Sequence, residues 1–403
     1  MVNAREIATL RDSMQRAHAA GETPALVTLL QVDGSAYRRP GAKMLVRPGG
    51  GTCGMISGGC LEPELAELAQ GVIAANEGRR VRYDLSEDEV WGLGLGCGGA
   101  IDLYIEPLPP QSAAADWIRR QAAGERALAA TVFSAPVPRR ELYRTEGDGT
   151  LRSEWETDEA GDLSSPIAER AAELLAGGDE RSRLESVSLR QPENGAAPDR
   201  LRRGEGRAGG EIPVTVEVFF DISTPAPELV LFGGGPGAAA LAARSAELGF
   251  RVIVVDPREG VANAAAFPEA EIIGAQPEQY PDCVPISAHS YVVIMNHHLE
   301  RDREALVFTL DRKPAYVAML GPRRRFEKVL TTLCEHGRVL DDHAVKQVHS
   351  PAGLDIGAEG PDEIALSILA EILAVRRGHG GGTLTDKRAG IHEPDRLAAV
   401  VRR

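Results

Sequence analysis

Apolar residues recur along the chain with two periods, and the switch between them divides it. The first period is read between residues 1 and 108. Helical spacing predicts a helix over 5–20, and an apolar run predicts a strand over 25–31. Short strands follow at 43–47 and 53–56, separated by a turn at 48–51. Pro63 suits the first turn of a helix, and Leu65, Leu68, Ala69, Val72 and Ile73 then repeat at helical spacing. Asn76-Glu-Gly78 stops that helix. Strands over 79–85 and 100–106 close the unit, the second with Ile101, Leu103 and Ile105 on one face.

After the proline-rich link Thr224-Pro-Ala-Pro-Glu228 the pattern changes to alternating strands and helices. Strands are predicted at 229–232, 251–255, 271–274, 290–295, 316–320 and 338–340, with a helix over 237–248. Parallel strands joined through helices make a doubly wound sheet. The expected fold class is therefore α/β, a C-terminal Rossmann-like doubly wound parallel sheet preceded by an α+β, mixed-sheet N-terminal domain. The expected boundaries are 1–108, 109–223, 228–378, and a tail at 379–403. The middle segment carries a weak echo of the first. Gly21-Glu-Thr-Pro-Ala-Leu-Val-Thr28 resembles Gly124-Glu-Arg-Ala-Leu-Ala-Ala-Thr131, and a helix over 167–178 again ends in glycines. It reads either as a degenerate second copy without cysteine loops or as an unrelated insertion. Residues 191–210 are rich in Pro, Gly and Arg, which predicts a mobile stretch.

Composition narrows the function classes. The chain has 403 residues, 43% hydrophobic and only 4% aromatic, so its cores are expected to be aliphatic. The net charge of −14 gives no general attraction to nucleic acid or to an anionic membrane. No apolar run has the length of a membrane span, and the amino terminus lacks a signal-peptide pattern, so a cytoplasmic location is expected. Five cysteines, an odd number without CxxC spacing, argue against both a disulfide framework and a zinc site readable from spacing. Cys53, Cys283 and Cys334 have bland surroundings and are expected in the core.

Three constellations carry chemistry. In Ser57-Gly58-Gly59-Cys60-Leu-Glu62-Pro63 a thiol stands just before a helix N-terminus, where positive partial charge favours thiolate. A second glycine loop, 92–99, holds Cys97, Gly98 and Gly99, and its bare backbone can close around a ligand. Two thiols suit sulfur handling or a soft metal centre, but equally two structural cysteines in tight turns; they do not complete a metal site. In the Rossmann half, Gly233, Gly235 and Ala238 fit G-x-G-x-x-G/A, and Gly237 opens the helix whose N-terminus faces an anion. Asp256, at the end of the next strand, is placed to accept from a ribose hydroxyl, while Arg258 would meet a 2′-phosphate, so NAD and NADP are not separated. His297 and His298 follow a later strand with Glu300 and Asp302, as acid–base or metal groups or as plain first-turn acids. Arg323, in Gly321-Pro-Arg-Arg-Arg325, opens a helix at a second candidate anion site. The apolar face of 364–375 either docks on the sheet or makes a dimer contact.

These segments together resemble the XdhC/CoxI family, maturation factors of xanthine dehydrogenase and related molybdenum hydroxylases. The resemblance rests on Gly34-Ser-Ala-Tyr-Arg-Arg-Pro-Gly-Ala42, the two cysteine loops, the 232–237 turn, Tyr316-Val-Ala-Met-Leu-Gly321 and Gly353-Leu-Asp-Ile-Gly357. It covers about residues 5–108 and 228–392. It departs from the family pattern at Pro236 and at Leu299, where many members carry histidine. The resemblance implies binding of the molybdenum cofactor (molybdopterin), protection of it while a cysteine desulfurase supplies sulfur, and delivery to a molybdenum hydroxylase apo-subunit. Ser57, Gly58, Gly59, Cys60, Glu62, Cys97, Gly98, Gly99, Gly233, Gly235, Gly237, Asp256, His297 and Arg323 are the expected contacts, and a homodimer is the expected assembly. The alternative is an NAD(P)-dependent oxidoreductase. The chain lacks an iron–sulfur cysteine pattern, so it is not expected to oxidise purines itself.

Overall fold

The structure is a computed structural model that describes residues 3–85, 99–133, 138–145, 151–155, 164–177, 180–192 and 211–387. Most of the 191–210 stretch, expected to be mobile, lies outside the described residues. The chain forms two compact units, Met1–Pro225 and Ala226–Arg403.

In the first unit the elements run α1 (Ala4–Ala19), β1 (Ala25–Asp33), β2 (Lys43–Val46), β3 (Thr52–Gly54), α2 (Glu62–Ala75), β4 (Arg79–Asp84) and β5 (Ala100–Pro107). They continue with α3 (Ala113–Ala122), β6 (Ala127–Val132), β7 (Arg139–Thr145), β8 (Leu151–Trp155), α4 (Ser164–Ala176), β9 (Arg183–Pro192) and β10 (Glu211–Ser223). Two antiparallel five-stranded sheets result, ordered β3-β2-β1-β5-β4 and β8-β7-β6-β10-β9. The period-two alternation of β1 decides its packing. Ala25, Val27 and Leu29 meet Leu65, Ala69 and Val72 of α2, whereas Leu26 faces Leu10 and Met14 of α1 and Ile118 of α3. In the second sheet Leu128, Ala130 and Phe220 meet Ile167 and Ala171 of α4, while Ala127 and Ala129 pack on Trp117. The predicted strand at 53–56 is shorter and shifted, and α2 ends at Asn76 in left-handed geometry, φ 53°, as its sequence signalled.

The second unit contains β11 (Glu228–Phe232), α5 (Pro236–Glu247), β12 (Arg251–Val255), β13 (Ala270–Ile273), α6 (Tyr280–Cys283) and β14 (Ser290–Ile294). It continues with α7 (Leu299–Arg312), β15 (Tyr316–Met319), α8 (Arg323–Glu335), α9 (Asp342–Gln347), β16 (Val348–His349) and α10 (Gly360–Arg377). Its sheet is parallel throughout, ordered β13-β12-β11-β14-β15-β16. Leu229 and Leu231 face α5 and α10, and Val230 and Phe232 face α7 and α8, so both faces are covered.

Two expectations are corrected, and one alternative is decided. The sixth strand is Val348–His349, not 338–340, because only the later pair reaches the β15 edge. The apolar face of α10, expected either to dock on the sheet or to make a dimer contact, docks: Ala365, Ile368, Leu369 and Ile372 are buried in the core shared with α5. Cys283 and Cys334 are exposed rather than core. Cys334 lies off the Phe326–Val329–Leu333 stripe by which α8 docks.

Candidate functional site

In the first unit the motif loops meet at one end of the first sheet. β1 ends there at Asp33, and β5 begins at its partner Ala100, which also pairs with Asp84 at the end of β4. The Ser57–Glu62 loop is wound around the Glu62 carboxylate. The amides of Ile56 and Ser57 donate to Oε1 at 2.9 and 2.7 Å, and the Ser57 hydroxyl and Gly59 amide donate to Oε2 at 2.5 and 2.7 Å. The Ser57 Oγ in turn accepts from the Leu61 amide at 2.8 Å. Burial pushes the Glu62 carboxyl up, but the Ser57 hydroxyl and the amides outweigh it and hold it at about 2. Glu62 was expected to touch a ligand. It serves instead as the internal anion that shapes the loop.

Gly58 and Gly59 lie at φ 86° and 114°, where a side chain is strained. The Tyr37 ring covers Gly58 so closely that an added Cβ would stand 3.3 Å from it. Cys60 is exposed on this loop, and the amides of Gly58 and Cys60 have no hydrogen-bond partner among the described residues. Gly99 presses on the first motif loop: a Cβ there would meet the Ser35 and Asp33 carbonyl oxygens at 2.4 and 2.6 Å. The Leu85 amide donates to the Gly99 carbonyl at 2.7 Å, so the two ends of the second cysteine segment are held together beside the Tyr37 loop. Cys97 and Gly98 lie outside the described residues. Arg38 ties the Tyr37 loop to α1 by two bonds to Glu6, at 2.9 and 2.7 Å. The Tyr37 ring over Gly58 and Gly99 against Asp33 and Ser35 thus bring the Asp33–Tyr37 turn, the Ser57–Cys60 loop and the start of β5 together, with Cys60 exposed on that loop.

The second unit brings its own motifs to the carboxyl ends of β11, β14 and β15. Gly233 has φ 115°, and a Cβ on it would stand 2.7 Å from the Met295 carbonyl oxygen, so only glycine allows β11 and β14 to diverge here. Gly235 caps α5 without a side chain, Pro236 follows, and the first-turn amides of Gly237 and Ala238 are left without a side-chain cap. His297 is exposed and its Nε2 lies 3.1 Å from where a Gly235 Cβ would be. Arg323 and Arg324 are exposed in the first turn of α8, which also lacks a side-chain cap. Arg325 turns inward instead, donating to Asp302 at 2.9 Å and to the Asn296 carbonyl at 3.1 Å. Burial raises the Asp302 carboxyl, and Arg325 opposes that shift.

Asp256 stands at the end of β12 as expected, but its carboxylate is not presented to solvent. It accepts from the Gly234 amide at 2.8 Å, from the Arg258 amide at 3.0 Å, and from the Arg258 guanidinium at 2.9 and 2.6 Å. Its side chain is 0% exposed, so no oxygen faces a ribose hydroxyl. Burial raises this carboxyl, but Arg258 and the two amides outweigh it and hold it low. Glu300 pairs with Arg303 at 2.8 Å and behaves as a first-turn acid. Among the described residues no cluster of three His, Cys, Asp or Glu side chains has the spacing to hold a metal, and no helix there is long and apolar enough to cross a membrane.

The comparisons agree with both halves of this description. The model of the XdhC and CoxI family matches residues 17–84, which hold the Tyr37 and Cys60 loops, and the model of the XdhC Rossmann domain matches residues 229–372. The chain belongs to the XdhC/CoxI family. Within it, this member is 29% identical over 359 residues to a Bacillus subtilis protein named as a probable xanthine dehydrogenase subunit, covering 88% of this chain and 94% of the relative. It is 25% identical to the molybdenum cofactor insertion chaperone PaoD of Escherichia coli, over 89% of this chain and 85% of that one. A crystal structure named a xanthine dehydrogenase from Bacillus halodurans matches with a TM-score of 0.67 and 25% identity, over 95% of this chain and 99% of that one.

Sequence reasoning missed two parts of this XdhC/CoxI chain. Tyr37, 62% exposed, is laid over Gly58 on the Cys60 loop; its place inside a turn-rich loop was the available signal. Glu371, which accepts from Tyr316 at 2.6 Å and the Gly353 amide at 2.9 Å and pairs with His349 at 2.8 Å, fixes the Gly353 turn against α10. A single glutamate within the apolar stretch of α10, beyond its acidic first turn, gave no pointer to three partners on other elements.

Proposed function

We propose that this protein is a maturation factor of a molybdenum hydroxylase: it binds the molybdenum cofactor, holds it while a cysteine desulfurase supplies sulfur, and passes it to the apo-subunit. The observation that carries this reading is the exposed Cys60 thiol, set on a loop preshaped by Glu62, with the Tyr37 ring over Gly58 and with the Gly58 and Cys60 amides unpartnered among the described residues. Such a donor set fits the cofactor's chemistry: a thiol for a soft centre, amides and an aromatic face for a flat polar heterocycle. In the second unit the uncapped turns of α5 and α8, with Arg323 and His297, fit a phosphate group. When bound, the cofactor supplies the molybdenum and dithiolene chemistry that the client enzyme uses. The first unit's own part is to present Cys60 on a loop that Glu62 holds in shape. The names of the relatives support the same reading.

The test is mass analysis of ligands released from protein made in a host that synthesises the cofactor. Molybdopterin is expected, with retention reduced at least tenfold in Cys60→Ala and in Cys97→Ala. Retention unchanged in both variants removes the thiol role. The Rossmann turn favours a second reading, a nicotinamide nucleotide as ligand, which calorimetric titration with NAD(H) and NADP(H) addresses. The engaged Asp256 weighs against it, because a ribose would have to displace Arg258.

A further inference from the structure

The two sheets of the first unit have the same element sequence: helix, three strands, helix, two strands, with the same strand order. The register agrees residue by residue. Thr28 of β1 is flanked by Lys43 and Tyr104, and Thr131 of β6 by Arg140 and Phe219. The same interval separates Gly21 from Gly124, Thr28 from Thr131, and Pro63 in the first turn of α2 from Pro166 in the first turn of α4.

The equivalent residues also contact each other reciprocally. Lys43 of the first module meets Asp221 of the second at 2.6 Å, and Arg140 of the second meets Glu106 of the first at 2.7 Å. Asp221 and Glu106 are themselves equivalent, each two residues beyond the Phe219 or Tyr104 that flanks its central threonine. Tyr104 packs edge-on against Phe133 at 5.1 Å, and Phe219 shares a cluster with Leu30, the residue equivalent to Phe133. A small cavity between the sheets is lined by both members of three equivalent pairs, Thr28 with Thr131, Lys43 with Arg140, and Tyr104 with Phe219. When residue i meets j and the equivalent of j meets the equivalent of i, the interface is isologous, the signature of two-fold self-association. An unrelated insertion has no reason to produce it.

We infer that residues 4–223 are an internal pseudo-homodimer, two copies of one module joined through a self-complementary sheet face, of which only the first keeps the cysteine-loop chemistry. In sequence the second copy carries Leu163 at the place of Cys60 and Ser165 at the place of Glu62. The partner that this face fits is therefore a second copy of the same module. The second module's task is to cover the apolar face of the first, leaving one thiol loop per chain.

The test is a full-length chain in which residues 4–107 are repeated in place of 113–223. A self-complementary face predicts a monomer by light scattering with one cooperative melting transition, since Lys43 of either copy then meets Glu106 of the other. Should that chain fail to fold, charge exchange in the natural chain decides. Arg140→Glu is expected to lower Tm by several degrees, and adding Glu106→Arg to recover more than half of that loss. A repeated-module chain that aggregates, together with a charge exchange that recovers nothing, overturns the inference.

Discussion

Replacing Glu62 by glutamine removes the anion around which the Cys60 loop is wound while keeping its volume. One carboxylate accepts four hydrogen bonds from Ile56, Ser57 and Gly59; the amide retains a single acceptor oxygen and turns an NH2 toward backbone donors. The carboxyl is held at about 2 against an ordinary 4.5. That difference corresponds to about 3.4 kcal/mol of preferential interaction with the charged form. The group is partly open to water, and screening reduces the figure by roughly half, to about 1.5–2 kcal/mol. The loop should then open roughly 10–30 times more often. Hydrogen exchange at the bonded amides of Ile56, Ser57, Gly59 and Leu61 reads this directly. In the natural protein, protection corrected for intrinsic rates should be full above pH 4.5, because a lowered folded pKa favours the folded loop only while the carboxyl is charged. It should be lost as pH falls toward 2, whereas Glu62→Gln should be flat across that window. Exchange in Glu62→Gln within twofold of the natural chain at neutral pH would refute the reasoning.

Other outcomes follow from single groups. Lys43→Met leaves Asp221 buried, with Trp117 and Ser182 but no cation, and should cost about 3–5 kcal/mol by denaturant unfolding; Asp221→Asn added to it should recover part of the loss. Gly233→Ala places a Cβ against the Met295 carbonyl at φ 115° and should destabilise the second unit by more than about 2 kcal/mol, whereas Gly235→Ala meets only the His297 ring tip and should leave Tm nearly unchanged. Glu141 is buried beside Tyr143, and burial raises its carboxyl to about 7 although Tyr143 and Arg139 oppose it. Its contribution is fully present below pH 4.5 and lost as pH rises to 7. Glu141→Gln should therefore flatten the stability profile over that window and gain about 2–3 kcal/mol at pH 8. An unchanged profile would remove Glu141 as its cause.

Much of the second unit was legible because its signals are local. A strand, a glycine turn and a helix adjoin in sequence, so Gly233, Gly235 and Gly237 could be placed without knowing what lay across from them. Asp256 shows the limit. Its position at the strand end was readable, but its engagement depends on how Arg258 folds back two residues later and on the Gly234 amide, which is brought to it by the pairing of β11 with β12. The 338–340 strand failed for a similar reason: a short apolar run becomes a strand only where a sheet edge is available to pair with it.

In the first unit the sequence alone determined the helices, most strands and the presence of a thiol before α2, because periodicity and turn chemistry are properties of neighbouring residues. It also held a faint repeat, too weak to distinguish a second module from an insertion. Tertiary structure decided which loops meet at Cys60, that Glu62 faces inward, and that Lys43 and Arg140 reach acids on the opposite sheet. Those outcomes join residues up to 178 positions apart. No local pattern encodes such pairings, since they depend on how whole sheets stack and on the burial that makes one partner require the other.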